Sequence, residues 1–122
     1  RGSGTRTIFD HLLGLDDISS RDIAGYGHEE FTHLAVAAMI ASGTVDAGLG
    51  IKAAAEKFNL NFIPLLNEAY VLAVAHDESC NPVARLKALL KSKEFHQRVA
   101  DVPGYDTSAT GQVLDFDDLF VG

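Results

Sequence analysis

The sequence predicts an α/β fold, a layered sheet with flanking helices. Stretches with apolar residues at helical spacing alternate with short runs rich in β-branched and aromatic residues. Glycine, asparagine or proline stands where most of the predicted helices begin or end. Helices that alternate with strands are typical of a largely parallel sheet. At 122 residues, with 47% hydrophobic and 22% charged residues, the chain is expected to form one globular domain.

The first half of the chain is predicted to alternate helices with strands. Gly14 and Gly43 stand where the first and second helices should end, because glycine adopts the left-handed conformation of a helix end at low cost. The second helix carries apolar residues on most of its faces, which predicts a buried helix. The predicted elements are a helix at 5–13, a strand at 22–27, a helix at 30–42 and a strand at 45–51.

The second half predicts a short helix, two strands and two further helices. Pro64 places the first of these strands at a sheet edge or close to its own end, because proline cannot donate a ladder hydrogen bond. Asn81 and Pro82 supply the side-chain cap and the proline favoured at a helix start, and Pro103 with Gly104 ends the last helix. The predicted elements are a helix at 52–58 closed by Asn59, strands at 61–66 and 69–75, and helices at 81–90 and 93–102.

Charge and composition exclude several classes of function. The formal net charge is -7 and the pI is about 5.0, so no broad cationic surface is available for nucleic-acid phosphates or anionic lipid. The longest apolar run, at 34–41, is far shorter than the roughly 20 residues of a membrane-spanning helix. The single cysteine, Cys80, has no partner for an internal disulfide, and no stretch has the pattern of a signal peptide. We therefore expect a cytoplasmic protein that binds neither nucleic acid nor membranes.

The segment that leads into the first predicted helix, Arg-Gly-Ser-Gly-Thr-Arg at 1–6, has the composition of an anion-binding loop. Its glycines can expose backbone N–H groups, while Ser3 and Thr5 add hydroxyl donors. The free N–H groups of a helix start carry about half a positive charge, which suits phosphate, sulfate, molybdate or tungstate. Arg1 could add a bidentate contact. The same composition is also typical of an appended linker or an ordinary capping turn, and the residues alone leave these alternatives open.

This opening run resembles the oxyanion loop of type II periplasmic binding proteins. Further segments resemble the periplasmic-binding-protein-like domain attached to molybdopterin-biosynthesis proteins and some regulators. Those segments are Glu-Glu-Phe-Thr-His-Leu-Ala-Val-Ala-Ala at 29–38, Ala-Ser-Gly at 41–43 with Asp-Ala-Gly-Leu-Gly-Ile at 46–51, and Gly-Tyr-Asp-Thr-Ser at 104–108. The resemblance implies a two-lobed domain that binds a molybdenum- or tungsten-related oxyanion or a cofactor precursor and does no chemistry of its own.

Carried over position by position, the resemblance implies anion contacts from Arg1, Ser3, Gly4 and Thr5, with Thr32 as a weaker candidate at the start of the second long helix. It implies no catalytic residue, no metal ligand and no cofactor. It also implies that the chain is a fragment, with about 1–66 as the second lobe and about 67–122 as the segment returning toward the first lobe. We expect such a fragment on its own to bind the oxyanion or pterin-type ligand weakly or undetectably, and self-association through exposed apolar sheet surface is a further expectation.

Two other interpretations compete with a binding module. The first is an enzyme fragment that handles phosphoryl groups with the same loop, and the second is a scaffold or dimerisation domain whose ligand site is vestigial. A zinc-protease signature is not favoured, because that site needs histidines four apart on one helix face, whereas His28 and His33 are five apart. The segment at 104–108 either lines the ligand cleft, as the resemblance implies, or forms a turn held by Asp and Thr hydrogen bonds.

Overall fold

The structure, a computed structural model, describes residues 4–74 and 81–114 and contains two units, Arg1–Pro64 and Leu65–Gly122. In the first unit, a 3-10 turn at Ser20–Asp22 follows the first of three α-helices. The described residues of the second unit contain two α-helices. The α-helices are α1 (Gly4–Leu15), α2 (His33–Ala41), α3 (Lys52–Lys57), α4 (Asn81–Leu90) and α5 (Lys93–Ala100).

The predicted layered α/β sheet is wrong for the described residues, which contain no strand. The segment predicted as a strand at 22–27 forms consecutive turns, in which the Tyr26 and His28 N–H groups donate to the carbonyls of Ile23 and Gly25. Gly25 has a φ of 76°, a left-handed conformation that bends the chain out of a strand path. Short-range hydrogen bonds therefore replace ladder pairing here.

The glycine-rich segment at 45–51 also fails to form its predicted strand, and it lies against α2 instead. A Cβ atom at Gly48 would stand 2.6 Å from Cγ1 of Val36 and 3.5 Å from Cδ1 of Ile40. The missing side chain is what lets the backbone approach the helix so closely. This contact fixes the segment without any sheet hydrogen bond.

The predicted strands at 61–66 and 69–75 are also absent, within the limits of the described residues, which end at 74 before the gap. Residues 61–74 are all exposed and make no backbone hydrogen bond among the described residues. A strand requires a neighbouring segment to accept and donate its ladder bonds. The apolar pattern is present in the sequence, but no described segment pairs with it.

The helix ends show why the sequence predicts helix boundaries better than it predicts strands. Three helices end in a left-handed residue, with φ values of 52° at Asp17, 73° at Gly43 and 53° at Asn59. In each case the next amide donates back to a carbonyl five residues earlier, as in Thr44 to Met39 at 3.0 Å. The predicted ends at Gly43 and Asn59 are confirmed. The predicted stop at Gly14 is wrong, because Gly14 lies inside α1 and Asp17 takes the left-handed position.

The first unit has a small core. Helix α2 packs against α3. The buried residues of this core are Ala37 on α2 and Ala54 on α3, and Leu13 is buried on α1. Helix α2 starts three residues later than predicted, and Leu34 is 44% exposed. The expectation of a buried helix at 30–42 is therefore only partly met, because Ala37 is buried and most of the other residues of α2 are half-buried.

In the second unit, α4 spans Asn81–Leu90 and contacts α5. The residues before Asn81 lie outside the described ranges, so its predicted role as the cap of this helix stays a prediction. Ser92 caps α5 by accepting from the Phe95 N–H at 3.2 Å. The predicted helix at 93–102 ends two residues early, at Ala100. None of the helices in the described part of the chain is long and apolar enough to cross a membrane.

Candidate functional site

The described part of the predicted anion loop is the first turn of α1. Gly4 is the first residue of the helix and is exposed, and Thr5 follows it half-buried. The first turn carries no acidic residue, so no carboxylate of its own opposes an incoming anion. Arg1 and Ser3, the other two loop candidates, lie outside the described residues. The described geometry is therefore the first turn of a twelve-residue helix.

Arg6, one residue beyond the predicted site, is the centre of a cluster of contacts in the described part of this unit. Its guanidinium carbon lies 3.8 Å from the centroid of the Tyr26 ring, and its Nη1 donates to the Tyr26 carbonyl at 2.9 Å. Its Nε is 3.4 Å from Oδ1 of Asp10, and Nη1 is 3.8 Å from Oε1 of Glu29. A planar cation can stack on a ring and donate at its edge at once, which a lysine cannot do. We call Arg6, Asp10, Tyr26 and Glu29 the Arg6 cluster.

Tyr26 closes the cluster from the loop side. Its hydroxyl donates to Oδ1 of Asp10 at 2.5 Å, and its ring centroid lies 5.9 Å from that of Phe9. Aromatic pairs at this separation are favourable. The loop that precedes α2 is thus held to α1 by the Arg6 guanidinium, by the Tyr26 hydroxyl and by the contact between the rings of Phe9 and Tyr26.

Sequence reasoning missed this cluster. The spacing of Arg6 and Asp10, four apart on a predicted helix, was a signal for an ion pair. Tyr26 lies twenty residues along the chain from Arg6, inside a segment predicted to be a strand, so no local pattern pointed to it. A contact of this kind becomes visible only when the turns at 23–28 are known.

A shallow cleft lies beside the cluster, between the second half of α1 and the 3-10 turn. It has a volume of about 230 Å³. Its lining residues are Asp10, Leu13, Gly14, Ile18, Ser20 and Tyr26. The Asp10 carboxylate gives it a negative wall, so the cleft is a poor place for an oxyanion.

Thr32, the weaker ligand candidate, is the N-cap of α2. Its φ of -137° and ψ of 148° are extended, and its Oγ1 accepts from the Ala35 N–H at 3.1 Å. This hydrogen bond satisfies one of the free amides of the helix start and explains why α2 begins at His33. A capping role accounts for Thr32, and its ligand role stays a prediction.

The two histidines of the weighed metal signature do not share a helix. His28 lies in the loop, where its Nε2 is 3.5 Å from Oε1 of Glu30, while His33 opens α2. No group of three or more His, Cys, Asp or Glu side chains in the described ranges is arranged to hold a metal ion.

The segment at 104–108 forms a turn stabilised by its own side chains. Asp106 accepts from the Ser108 N–H at 2.9 Å and from the Ser108 hydroxyl at 2.8 Å. These two hydrogen bonds, the backbone one foremost, lower the pKa of Asp106 below its usual range because they favour the charged carboxylate. The turn interpretation is confirmed, and a role in lining a ligand cleft stays a prediction.

Comparison with known proteins places the chain in a family. The sequence model for the PBP (periplasmic binding protein) superfamily domain matches residues 1–92, which includes the loop, the Arg6 cluster and α2 to α4. The chain belongs to the PBP superfamily. Membership supports the resemblance seen in the sequence at the level of the superfamily.

Two curated relatives resemble this PBP-superfamily domain. The uncharacterized protein YvgK of Bacillus subtilis is 34% identical over 114 residues, which cover 93% of this chain and 37% of that protein. An uncharacterized protein from the 5' region of a 2Fe-2S ferredoxin gene of Clostridium pasteurianum is 36% identical over 105 residues, covering 84% of this chain and 90% of the relative. The chain thus spans little more than a third of the Bacillus relative. No solved structure matches it significantly.

Proposed function

We propose that this PBP-superfamily domain is a non-catalytic binding module for a small oxyanion of the molybdate or tungstate class, or for a molybdopterin-related ligand. The observation that carries the proposal is the start of α1 at Gly4, directly after Arg-Gly-Ser and with no acidic residue in its first turn. Superfamily membership over residues 1–92 supports a binding role.

The recognition chemistry follows from helix geometry. The leading amides of α1 point out of the helix end and carry about half a positive charge between them. Gly4 presents its amide without a side chain in the way, and the Thr5 hydroxyl adds a neutral donor. We propose that Ser3 and Arg1 complete the shell, with Arg1 making a bidentate contact to two anion oxygens.

Local donors have to overcome the charge of the whole chain. A net charge of -7 repels an anion at long range, and screening at physiological salt limits that repulsion to about 8 Å. Within this distance, N–H and O–H groups directed at the anion can attract it more strongly than the net charge repels it. Selectivity among anions would then come from the size of the loop and the number of oxygens that it contacts.

We propose that the domain works in the cytoplasm, in molybdenum-cofactor biosynthesis or its regulation, and that in a longer two-lobed protein ligand occupancy is signalled by lobe closure. The rival enzyme would need a base beside the loop. The nearest carboxylate on the same helix, Asp10, is engaged by Arg6 and the Tyr26 hydroxyl, which favours a structural role for it. Assays for release of phosphate from ATP and p-nitrophenyl phosphate would reveal the enzyme, since turnover would contradict the proposal.

Calorimetric titration with molybdate, tungstate and phosphate tests the site. Thr5→Val removes a hydroxyl while keeping the side-chain shape, and we expect about tenfold weaker binding, the lower end of the range for a hydrogen bond to a charged group. Thr44→Val makes the same chemical change in the loop after α2 and should leave affinity unchanged. If Thr5→Val and Ser3→Ala both bind as tightly as the unaltered chain, the start of α1 is not the site.

A further inference from the structure

The cleft beside the Arg6 cluster combines polar groups with an apolar wall. Its polar groups are the Asp10 carboxylate and the hydroxyls of Ser20 and Tyr26. Its apolar wall is formed by Leu13 and Ile18, and no lysine or arginine side chain lines it within the described part of the chain. Apolar walls with a few convergent polar groups are typical of pockets that hold small ligands. The carboxylate favours a ligand that donates hydrogen bonds and carries no negative charge.

Gly14 also lines the cleft, and neither its backbone nor its neighbours explain why a glycine stands there. It lies within α1 and does not have the left-handed φ that favours glycine. A Cβ atom at this position would meet nothing within 4 Å, so close packing does not require a glycine either. Alanine or leucine would be the better helix former. The missing side chain instead leaves space in the cleft that a ligand can fill.

The charge around the cleft favours a cation. The Asp10 side chain is 49% exposed, and its contacts with the Tyr26 hydroxyl and with Nε of Arg6 are both made by Oδ1. The second oxygen, Oδ2, can therefore accept from a ligand. The second half of α1 adds the negative end of the helix dipole, and the last turn of this described helix carries no basic residue. We therefore propose that the cleft binds a small organic cation, a primary ammonium on an apolar body, with the ammonium donating to Asp10.

The volume of the cleft and its single carboxylate narrow the class of ligand. A volume of about 230 Å³ corresponds to roughly eight water molecules at their volume in the liquid, which is room for a ligand of about as many non-hydrogen atoms. One carboxylate matches one ammonium group. A metal ion needs several such ligands, and no group of three or more lies in the described ranges. Gly14 lies about 15 Å along α1 from Gly4, so this site is separate from the proposed oxyanion site and does not rest on it.

Titration of the full chain with benzylamine, a primary amine of about this size, tests the site. Amide chemical shifts measured by NMR detect weak binding and locate it. We expect saturable shift changes at the amides of Gly14, Ile18 and Ser20. Benzyl alcohol has the same apolar body without the charge and should bind at least about tenfold more weakly, because a charged donor makes the stronger hydrogen bond to a carboxylate. Phenylacetate, which carries the opposite charge, should leave these amides unchanged.

Gly14→Leu tests whether the space left by the glycine holds the ligand. The leucine side chain should fill the cleft and abolish the benzylamine shifts at Ile18 and Ser20. The melting temperature of the chain should stay the same or rise, because leucine is a better helix former than glycine. Loss of binding without loss of stability would therefore come from the filled cleft.

Asp10→Asn tests the charge. The substitution keeps the side-chain shape and an oxygen that accepts from the Tyr26 hydroxyl, and it should weaken benzylamine binding by at least about tenfold. Asp46→Asn is the matched control, because it removes the same charge from an exposed residue that does not line the cleft. It should change the affinity by less than about twofold.

Four results would overturn the proposal. The first is an absence of any response of the cleft amides to benzylamine, and the second is equal binding of benzylamine and benzyl alcohol. The third is unchanged benzylamine binding by Gly14→Leu. The fourth is an equal effect of Asp10→Asn and Asp46→Asn, because the amine would then be attracted only by the net charge of -7.

Discussion

The Arg6 cluster gives the sharpest stability prediction. Arg6→Met keeps much of the apolar stem of the side chain but removes the guanidinium that stacks on Tyr26 and donates to its carbonyl. We expect the loop before α2 to lose its main attachment to α1. Helix α1 itself should persist, because methionine is a good helix former.

The magnitude follows from the contacts. A hydrogen bond from a charged donor to a partly buried carbonyl is worth about 1.5–3 kcal/mol, and a cation–π contact near the surface adds about 0.5–1 kcal/mol. Arg6 is 23% exposed and its partners Asp10 and Glu29 are 49% and 45% exposed, so each ion pair adds at most about 1 kcal/mol. Since such contributions are not additive, we expect Arg6→Met to lower the free energy of unfolding by about 2–3 kcal/mol.

Urea unfolding followed by circular dichroism at 222 nm measures this loss, and amide exchange at Tyr26 and His28 locates it. Lys52→Met is the matched control, because it breaks an exposed i,i+4 pair with Glu56 in the same unit and should cost no more than about 0.5 kcal/mol. Equal small effects of the two substitutions, with unchanged exchange in the loop, would refute the assigned role of Arg6.

Three further predictions concern caps, packing and charge. Thr32→Ala should lower stability by about 1 kcal/mol in urea unfolding, and Thr32→Ser should restore it, because the hydroxyl caps α2. Gly48→Ala should cost about 1–3 kcal/mol, since its Cβ would stand 2.6 Å from a side chain of α2, whereas Gly27→Ala meets nothing within 4 Å and should be tolerated. The lowered pKa of Asp106 means that its turn is stabilised above the ordinary aspartate pKa, and that this contribution is lost as pH falls through the lowered value. The chemical shift of the Ser108 amide, followed in a pH titration, reports the protonation of Asp106. Asp106→Asn should abolish this pH-dependent change.

Each of these has a result that would contradict it. Equal stability of the alanine and serine variants at position 32 would mean that the Thr32 hydroxyl does not stabilise α2 as a cap. Equal stability of the two glycine variants would mean that the segment at 45–51 does not lie on α2. A Ser108 amide that titrates at the usual aspartate pKa would mean that its hydrogen bonds to Asp106 do not form in solution.

The helices could largely be predicted because their signals are local. Periodic apolar residues marked each helix, and Gly43 and Asn59 marked two of the ends by their tolerance of left-handed backbone. The miss at Gly14 has the same origin, because Asp17 also adopts that conformation and lies at the actual end of α1. A glycine inside a helix cannot be told from a terminal one by its identity alone.

The strands could not be predicted because pairing is not a local property. The stretch 61–74 has apolar residues suited to a sheet, yet a strand forms only where another segment completes its hydrogen bonds. The strand predicted at 45–51 is wrong for a different reason. Gly48 brings this segment into close contact with α2, where it has no strand partner. For the candidate site, the sequence suggested Gly4, Thr5 and Thr32 as ligand contacts, and these stay a prediction. It did not indicate the contact of Arg6 with Tyr26, which depends on turns between distant residues.

A crystal soaked in tungstate, with the tungsten located by anomalous scattering, tests the proposed function most directly. We predict a tungstate ion at the start of α1, with its oxygens within hydrogen-bonding distance of the Gly4 and Thr5 amides and the tungsten peak just beyond them. A peak in the cleft beside Asp10, or an ordered ion elsewhere with the α1 amides empty, would contradict the account.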